Sequence, residues 1–398
     1  MWMNHKNPTE YLIALSLLAG IALSWGLHHT ASALPLPIPS APPIQAQSYV
    51  LFDPESQQLL VQQAPNERME PASLTKIMTS YVAFHELSDQ HITLDQMVVI
   101  SEKAWRMEGS RTFLEVNSQA AVRDLLMGII IQSGNDASVA LAEHIAGSEA
   151  SFIDMMNHYA KLLNMENTHF MNASGLPDPQ HYSTAYDMAL LTQALITEFP
   201  DYYRWYKKTT FTYNGITQSN RNQLLIRDSS VDGVKTGHTQ SAGFCLVSSA
   251  VRDNRRLISV MMGTKSDEAR INYSASLLNY GFRFFENHRL YARNDKLAEA
   301  KVWQGAAQSV PLGISDDIVV SIPRGHYERL KASVLLPETI EAPVAKGSQI
   351  GSVIIKLGDT PLRQRPLISM TEVAEGNLWR KFLDKARLRL GLVGNNEI

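Results

Sequence analysis

The chain is poor in cysteine: Cys245 is the only one among 398 residues. No internal disulfide can form, and no cysteine-based metal site can be built. The 12 histidines show no H-E-x-x-H or other ligand spacing, so the sequence argues against metal catalysis. We therefore expect no metal ion and no other cofactor.

Excess charge of either sign is also missing. The formal net charge is -3, from 36 basic and 39 acidic residues, and this balance gives no reason to expect a nucleic-acid partner. A hydrophobic content of 44% with 19% charged residues is typical of a globular protein. The length exceeds that of one ordinary core, so two domains are expected.

An apolar segment without charge lies near the N-terminus, at residues 11–27. Lys6 precedes it and an Ala-Ser-Ala cleavage site follows at 31–33, which is the layout of a secretory signal peptide. We assign residues 1–33 to a signal peptide and 34–45 to a stiff, proline-rich leader. An uncleaved membrane anchor is the alternative. In both cases the rest of the chain is predicted to be exported.

Between residues 46 and 290, strand patterns enclose helix patterns. Predicted strands are 49–52, 59–61, 233–237, 244–250 and 257–263. Helices are predicted from about residue 71, over 121–146 with a break at 132–135, and over 185–198. Helices inserted between early and late strands predict an α/β (α+β) domain with a mainly antiparallel sheet, and the segment around Lys235 is expected at its edge or in a hairpin.

The last hundred residues contain two further patterns. Residues 295–372 show short alternating runs, such as 301–303 and 318–322, which predict an all-β sandwich. Residues 376–394 instead predict an amphipathic helix with an apolar side led by Trp379 and a basic opposite side. Such a helix is typical of one lying in an anionic membrane surface. Docking on the β domain is the alternative.

Three short motifs carry the chemistry: S-x-x-K at 73–76, S-G-N at 133–135 and K-T-G at 235–237. In a chain of this length, S-x-x-K is expected by chance about once or twice, and each of the others about 0.1 times. Their combined presence in this order is therefore a specific signal. Together they supply what acyl transfer without histidine requires.

A serine hydroxyl such as that of Ser73 needs a neighbouring base. Lys76 lies one helical turn away and can act only when neutral, so burial or a nearby cation such as Lys235 must lower its pKa. Ser133 can relay a proton to the leaving group, although serine before a helix is also typical of a cap. Asn135 can position either Lys76 or the substrate backbone.

The third motif suits the other end of a substrate. Lys235 and Thr236 fit a carboxylate, one by charge and one by its hydroxyl. Gly237 allows a substrate to run close along the strand as an added strand. The backbone N–H groups of Ser73 and His238 form the expected oxyanion hole.

With these residues in place, the chain resembles the D-alanyl-D-alanine carboxypeptidases, low-molecular-mass penicillin-binding proteins similar to penicillin-binding protein 5. The likeness extends to the segments 71–79, 231–239, 281–286, 322–325 and 364–367. The resemblance implies a serine penicillin-recognising, β-lactamase/transpeptidase-like catalytic domain over 46–290, followed by the β-sandwich domain.

The resemblance also implies roles. Ser73 would be the acyl-enzyme nucleophile, Lys76 the proton acceptor and Ser133 the third catalytic residue. Lys235 would bind the terminal carboxylate of a peptidoglycan pentapeptide stem, with support from Arg221, and the terminal D-alanine would be removed. β-Lactams would acylate and inhibit the enzyme, which the C-terminal helix would hold on the periplasmic face of the bacterial inner membrane.

Two other functions use the same motifs. A DD-endopeptidase or a β-lactamase would carry them too, and a β-lactamase differs in hydrolysing its penicilloyl-enzyme quickly. A non-catalytic envelope protein that binds β-lactams is the third possibility. For that protein, Ser73→Ala would leave the cellular phenotype intact.

Overall fold

The structure is a computed structural model and describes residues 39–389. The predicted signal peptide, the first residues of the leader and the last residues of the predicted C-terminal helix lie outside this range. The helices are α1 Lys76–Ser88, α2 Glu102–Trp105, α3 Val122–Met127, α4 Asn135–Ala146, α5 Glu149–Leu162, α6 Ala185–Glu198, α7 Pro200–Tyr203, α8 Leu224–Arg227, α9 Asp267–Phe284 and α10 Leu378–Arg389.

The strands of the described residues fall in both predicted domains. They are β1 Ser48–Asp53, β2 Gln58–Gln63, β3 Met97–Val99, β4 Gln119–Ala121, β5 Thr210–Tyr213, β6 Ile216–Ser219, β7 Val231–Thr239, β8 Gly243–Arg252, β9 Arg255–Thr264, β10 Phe285–Tyr291, β11 Lys296–Lys301, β12 Ser309–Gly313, β13 Ile318–Pro323, β14 Leu330–Leu335, β15 Gln349–Leu357 and β16 Thr360–Ser369.

A five-stranded sheet with the order β2-β1-β9-β8-β7 forms the centre of the first domain. Its neighbouring strands are all antiparallel, which confirms the predicted sheet type and the predicted early strand pair. Strand β7, which carries the K-T-G motif, lies at the edge. One side of its backbone is therefore open to pair with an added strand.

Helix α1 lies at the centre of the helical part of this domain. Ile77, Met78 and Val82 on this helix are fully buried, and α4, α5 and α6 pack around it. A helix buried on all sides belongs to the core. Its first residue, Lys76, is buried with it, so the S-x-x-K motif is anchored in the core of the domain.

The second domain is all β, as predicted. A five-stranded antiparallel sheet has the order β11-β12-β16-β15-β14, and β10 pairs with β13. Strand β10 follows directly after α9, and the predicted boundary at residue 290 falls within it. The strand predicted at 301–303 was misplaced: β11 ends at Lys301, and Val302 and Trp303 are buried in a loop. Their apolar character reflects packing rather than strand alternation.

The turn between β1 and β2 joins the two domains. Arg255 donates to Asp53 Oδ2 (2.8 and 2.9 Å) and to Ser321 Oγ (2.8 Å) in the second domain. The backbone N–H of Ser321 donates to Gln58 Oε1 (2.6 Å), and Arg363 donates to the carbonyl of Ser56. The contacts of the two arginines are charge-assisted and stronger than ordinary hydrogen bonds, so they stabilise the junction.

Helix α10 contacts the second domain through its polar side. Asp384 is buried and accepts a hydrogen bond from the Gln304 N–H (2.8 Å). Leu378, Trp379 and Phe382 are 85%, 76% and 67% exposed. The helix is therefore attached to the β domain with its apolar side facing outward. Within residues 39–389, no helix has the length and apolar character needed to cross a membrane.

Candidate active site

Ser73 lies in a tight turn, Ala72–Thr75, immediately before α1. Ala72 has a φ of 47°, a left-handed conformation that costs a non-glycine residue roughly 1–2 kcal/mol. The sharp turn leaves Ser73 half-buried at the wall of a cleft while its neighbours are buried. Unfavourable backbone conformations of this kind are often kept at functional sites.

Lys76 is 0% exposed, and its Nζ has three hydrogen-bond partners. These are Ser73 Oγ (3.0 Å), Asn135 Oδ1 (2.7 Å) and the carbonyl of Ser174. A neutral amine has two N–H groups and one lone pair. The two carbonyl oxygens can only accept, so they take the two N–H groups and leave the lone pair for the hydroxyl of Ser73. The geometry thus suits proton transfer from Ser73 to Lys76.

The electrostatics of this lysine favour the neutral form. The pKa of Lys76 is lowered to about 7: burial is the largest cause, Asp136 acts in the opposite direction, and Arg221 also lowers it. A charged amine loses its hydration in a buried site, which is why burial is the largest cause. A substantial fraction of Lys76 is therefore neutral near pH 7, which is the condition that general-base chemistry requires.

The S-G-N motif lies opposite, where a helical segment over 128–132 ends. Ser133 has a φ of 67° and is 2% exposed, and its hydroxyl has no hydrogen-bond partner among the described residues. Helix α4 is capped by Gly134 without a side-chain bond. Ser133 is thus not the helix cap that its sequence context also suggested. Ser133 lines the same cleft as Ser73, and its hydroxyl oxygen is buried in the cleft wall.

Both ends of the Asn135 amide are used inside the protein. Its Oδ1 accepts from Lys76, and its Nδ2 donates to the carbonyl of Glu108 (2.5 Å). Of the two roles considered for Asn135, this arrangement favours positioning Lys76 over binding the substrate backbone.

Basic side chains are concentrated at the end of the cleft that contains the K-T-G motif. Lys235 is 2% exposed and donates to the carbonyl of Thr236 (3.1 Å). Burial holds the pKa of Lys235 well below its usual range, and Lys76, Arg221 and Arg270 lower it further. An anion bound here would relieve this repulsion and restore the charge of Lys235. The site is therefore suited to a carboxylate.

Gly237 brings the edge strand close to the nucleophile turn. A Cβ atom at this position would lie 2.9 Å from the carbonyl oxygen of Pro71 and 3.2 Å from the backbone nitrogen of Ser73. Only glycine fits such an approach without displacing backbone. The next residue, His238, is exposed and its ring lies 4.0 Å from that of Phe244.

The sequence did not reveal Arg270, which belongs to no motif. It is 6% exposed, it donates to the carbonyls of Gly237 (2.9 Å) and Cys245 (3.0 Å), and it lines the cleft. It lies in the first turn of α9, and only the packing of α9 on the sheet brings it to the motif strand. A single arginine in an amphipathic helix carries no sequence signal of this contact.

His181 was missed for the same reason. Its Nδ1 accepts from the N–H of Met171 (3.2 Å), so Nε2 carries the proton and donates to Thr75 Oγ1 (2.8 Å). Burial lowers the pKa of His181 to about 4, and the ring is neutral at pH 7. It holds the nucleophile turn and is not a catalytic base.

These residues share one cleft of about 480 Å³, a size suited to a small ligand. The sequence-predicted residues that line it are Ser73, Ser133, Arg221, Thr236, Gly237 and His238. Lys76, Asn135 and Lys235 are buried directly behind them and contact these residues or each other.

A serine beside a buried lysine, and a basic end of the cleft suited to a carboxylate, lie here on a mixed α/β domain. Together they define a serine hydrolase of the penicillin-recognising fold. The chain matches the family model described as D-alanyl-D-alanine carboxypeptidase over residues 37–266. It also matches the model of the penicillin-binding protein 5 C-terminal domain over 285–375.

Individual relatives agree with these matches. D-alanyl-D-alanine carboxypeptidase DacC of Escherichia coli K12 is 43% identical over 94% of this chain and 96% of its own. DacA of the same strain is 42% identical over 88% and 89%. The structure of penicillin binding protein 5 from Haemophilus influenzae is 41% identical and superposes with a TM-score of 0.80, covering 85% of this chain and all of that one. The chain belongs to the D-alanyl-D-alanine carboxypeptidase family and is an enzyme of that class.

Proposed function

We propose that the protein removes the terminal D-alanine from peptidoglycan pentapeptide stems through an acyl-enzyme on Ser73. The observation that carries this proposal is the buried Lys76 amine, whose lone pair faces Ser73 Oγ at 3.0 Å. The cationic end of the cleft supports a substrate with a free carboxylate, which is what a carboxypeptidase must recognise.

In the acylation step, the Ser73 hydroxyl gives its proton to Lys76 while Oγ attacks the carbonyl carbon of the penultimate D-alanine. The N–H groups of Ser73 and His238 stabilise the oxyanion, each donor contributing about 3 kcal/mol. Lys235, Thr236 and the nearby arginines hold the terminal carboxylate. As the peptide bond breaks, the proton passes through Ser133 to the amine of the departing D-alanine.

Deacylation repeats these roles with water as the nucleophile. Lys76 accepts a proton from water, directly or through the Ser133 hydroxyl, as the water oxygen attacks the ester carbonyl carbon. The bond from that carbon to Ser73 Oγ then breaks, and Oγ takes the proton back from Lys76. A β-lactam would acylate Ser73 by the same attack, but its leaving amine stays tethered in the adduct. Slow hydrolysis of that adduct would make β-lactams inhibitors.

The direct test is mass spectrometry of the protein incubated with penicillin and then digested. We expect an adduct on the peptide that contains Ser73, none in Ser73→Ala, and an undiminished adduct in Ser88→Ala, which changes an exposed serine at the end of α1, the helix that follows Ser73. Release of D-alanine from diacetyl-Lys-D-Ala-D-Ala should follow the same order. Rapid turnover of penicillin without release of D-alanine would instead establish a β-lactamase.

We also propose that the enzyme acts at the outer face of the cytoplasmic membrane, where α10 rests on the anionic surface. The exposed apolar side chains of Leu378, Trp379 and Phe382 support this location, because aromatic and aliphatic groups next to basic residues are what interfacial helices present to lipid. Attachment through Asp384 leaves this side free for contact.

A further inference from the structure

The turn over residues 172–176 packs directly against the catalytic lysine. The carbonyl of Ser174 accepts one of the hydrogen bonds of Lys76. Its neighbour Ala173 is held on both sides: its N–H donates to Glu149 Oε1 (3.0 Å), and its carbonyl accepts from Thr79 Oγ1 (2.7 Å). The turn therefore belongs to the site although it carries none of the three motifs.

One side chain organises this turn. Asn172 Oδ1 accepts from the N–H groups of Ser174 (3.2 Å), Gly175 (2.7 Å) and Leu176 (3.1 Å) and from the Ser174 hydroxyl (3.2 Å). Its Nδ2 donates to the carbonyl of Leu176 (3.0 Å). Asparagine closes turns in this way because its amide mimics the backbone.

The turn has no space in which to shift. Gly175 has a φ of +85°, and a Cβ atom there would lie 1.9 Å from the carbonyl oxygen of Ala72. Ala72 directly precedes the nucleophile. A change in the conformation of the turn must therefore move either the Ser174 carbonyl or the nucleophile turn itself.

We propose that Asn172 is a positioning residue for acyl transfer, which holds the Ser174 carbonyl on Lys76 so that the lone pair of the amine stays directed at Ser73. Without that carbonyl, one N–H of the neutral amine would lack an acceptor, and the amine could rotate to satisfy it elsewhere. The inference rests on the proposed role of Lys76 as the base.

The charged and titratable groups that face Lys76 are Asp136 on α4, Arg221, Lys235 on β7 and His181. None of them belongs to the turn, so an uncharged substitution of Asn172 leaves their fields in place. The substitution of Asn172 instead reduces the exclusion of water from Lys76. This matters because burial is the largest cause of the lowered pKa of Lys76. A loosened turn admits water, and the pKa of Lys76 rises towards that of an ordinary lysine.

The test is the pH dependence of the second-order rate constant for acylation by penicillin in the full chain. In Asn172→Ala, we expect the acidic limb to move up by about one pH unit and the rate at pH 7 to fall about fivefold. Asn172→Ser keeps a short acceptor and should lie between this variant and the wild type. The control is Asn157→Ala, because Asn157 braces the same segment through the N–H and carbonyl of Phe170 (both 2.9 Å). It should lower the melting temperature and leave the limb unmoved.

The outcomes of this test distinguish the positioning role of Asn172 from the proposed function of the enzyme. Acidic limbs in the wild-type position for both Asn172 variants, with Ser73 still acylated, would overturn the role of Asn172 alone. An equal shift of the acidic limb in Asn157→Ala would mean that Asn172 only supports the segment in general. That result would also overturn the positioning role of Asn172. If Asn172→Ala does not fold, the limb of Asn172→Ser decides. Absence of a Ser73 adduct in the wild type would instead refute the proposed function.

Discussion

The catalytic cleft and the C-terminal helix break the usual pattern of burial in opposite directions. In the cleft, the ionisable residues Lys76 and Lys235 are 0% and 2% exposed. On the helix, the apolar residues Leu378 and Trp379 are 85% and 76% exposed. Lysine is almost never fully buried without a partner, whereas exposed apolar residues become informative when they are clustered.

The two exceptions indicate two different missing partners. Burying a cation costs free energy that a bound anion can return, so the cleft is complementary to a carboxylate. Exposing a cluster of apolar side chains costs free energy that an apolar surface can return, so the helix is complementary to lipid or another protein surface. Each region is unfavourable in isolation and would be stabilised by a partner of matching chemistry.

The largest effect is expected from removing the amine of Lys76, the proposed base. Lys76→Met keeps the length of the side chain and removes its proton acceptor, so acylation by penicillin should fall about 10²- to 10⁴-fold. In the wild type, the rate should rise with pH through an acidic limb near 7, because Lys76 must lose its proton before it can accept another and burial lowers its pKa to about 7. Stopped-flow measurement of adduct formation checks both statements.

The matched control is Lys265→Met, which removes an exposed lysine and should leave the rate and the limb unchanged. A Lys76→Met protein that folds and still acylates within tenfold of the wild-type rate would show that another group acts as the base.

The second largest effect is expected at the cationic end of the cleft. Lys235→Met should lower kcat/KM for a peptide ending in D-Ala-D-Ala about 30-fold, because a charge-assisted hydrogen bond to the carboxylate contributes about 2 kcal/mol. The same peptide with an amidated C-terminus lacks that carboxylate and should be affected much less. The ratio of the two kcat/KM values is the measurement. An equal loss for both peptides would mean that Lys235 acts on Lys76 rather than on the substrate.

The difference between the two regions also explains what the sequence could predict. Each of the three motifs, S-x-x-K, S-G-N and K-T-G, consists of a few neighbouring residues and is therefore visible in the sequence. The spacing within S-x-x-K was enough to predict that the proposed nucleophile and base meet. Arg270, His181 and Asn172 act through contacts between segments far apart in the chain. Nothing in their own neighbourhoods marks them, so the fold was needed to find them.

The same limit applies to the C-terminal helix. Its amphipathic pattern was visible in the sequence, and the helix over Leu378–Arg389 confirms it. Whether its apolar side packs on the β domain depends on a long-range contact. The bond between Asp384 and Gln304 places the polar side inward, and no periodicity argument could supply that orientation.

A moderate effect is expected from polar substitution of the exposed apolar side. The double substitution Trp379→Ser and Phe382→Ser should weaken binding to vesicles containing anionic phosphatidylglycerol about 10- to 100-fold, because both side chains bury apolar area in lipid. Co-sedimentation with the vesicles measures it. The control is Leu335→Ser with Tyr327→Ser, which removes exposed apolar groups elsewhere on the second domain and should leave binding intact. Equal binding of both double variants would mean that α10 does not contact the membrane.

The smallest effect is expected where the helix meets the β domain. Asp384→Asn removes the charge and keeps an acceptor, so the bond to the Gln304 N–H should weaken by about 1 kcal/mol. Hydrogen exchange at that amide should become roughly fivefold faster while exchange in β15 stays unchanged. Asp359→Asn, at an exposed turn of the same domain, serves as the control and should leave the Gln304 amide unaffected. Unaltered exchange in Asp384→Asn would show that other contacts, such as that of Arg380 with the carbonyl of Ala306, suffice to hold the helix with its apolar side outward.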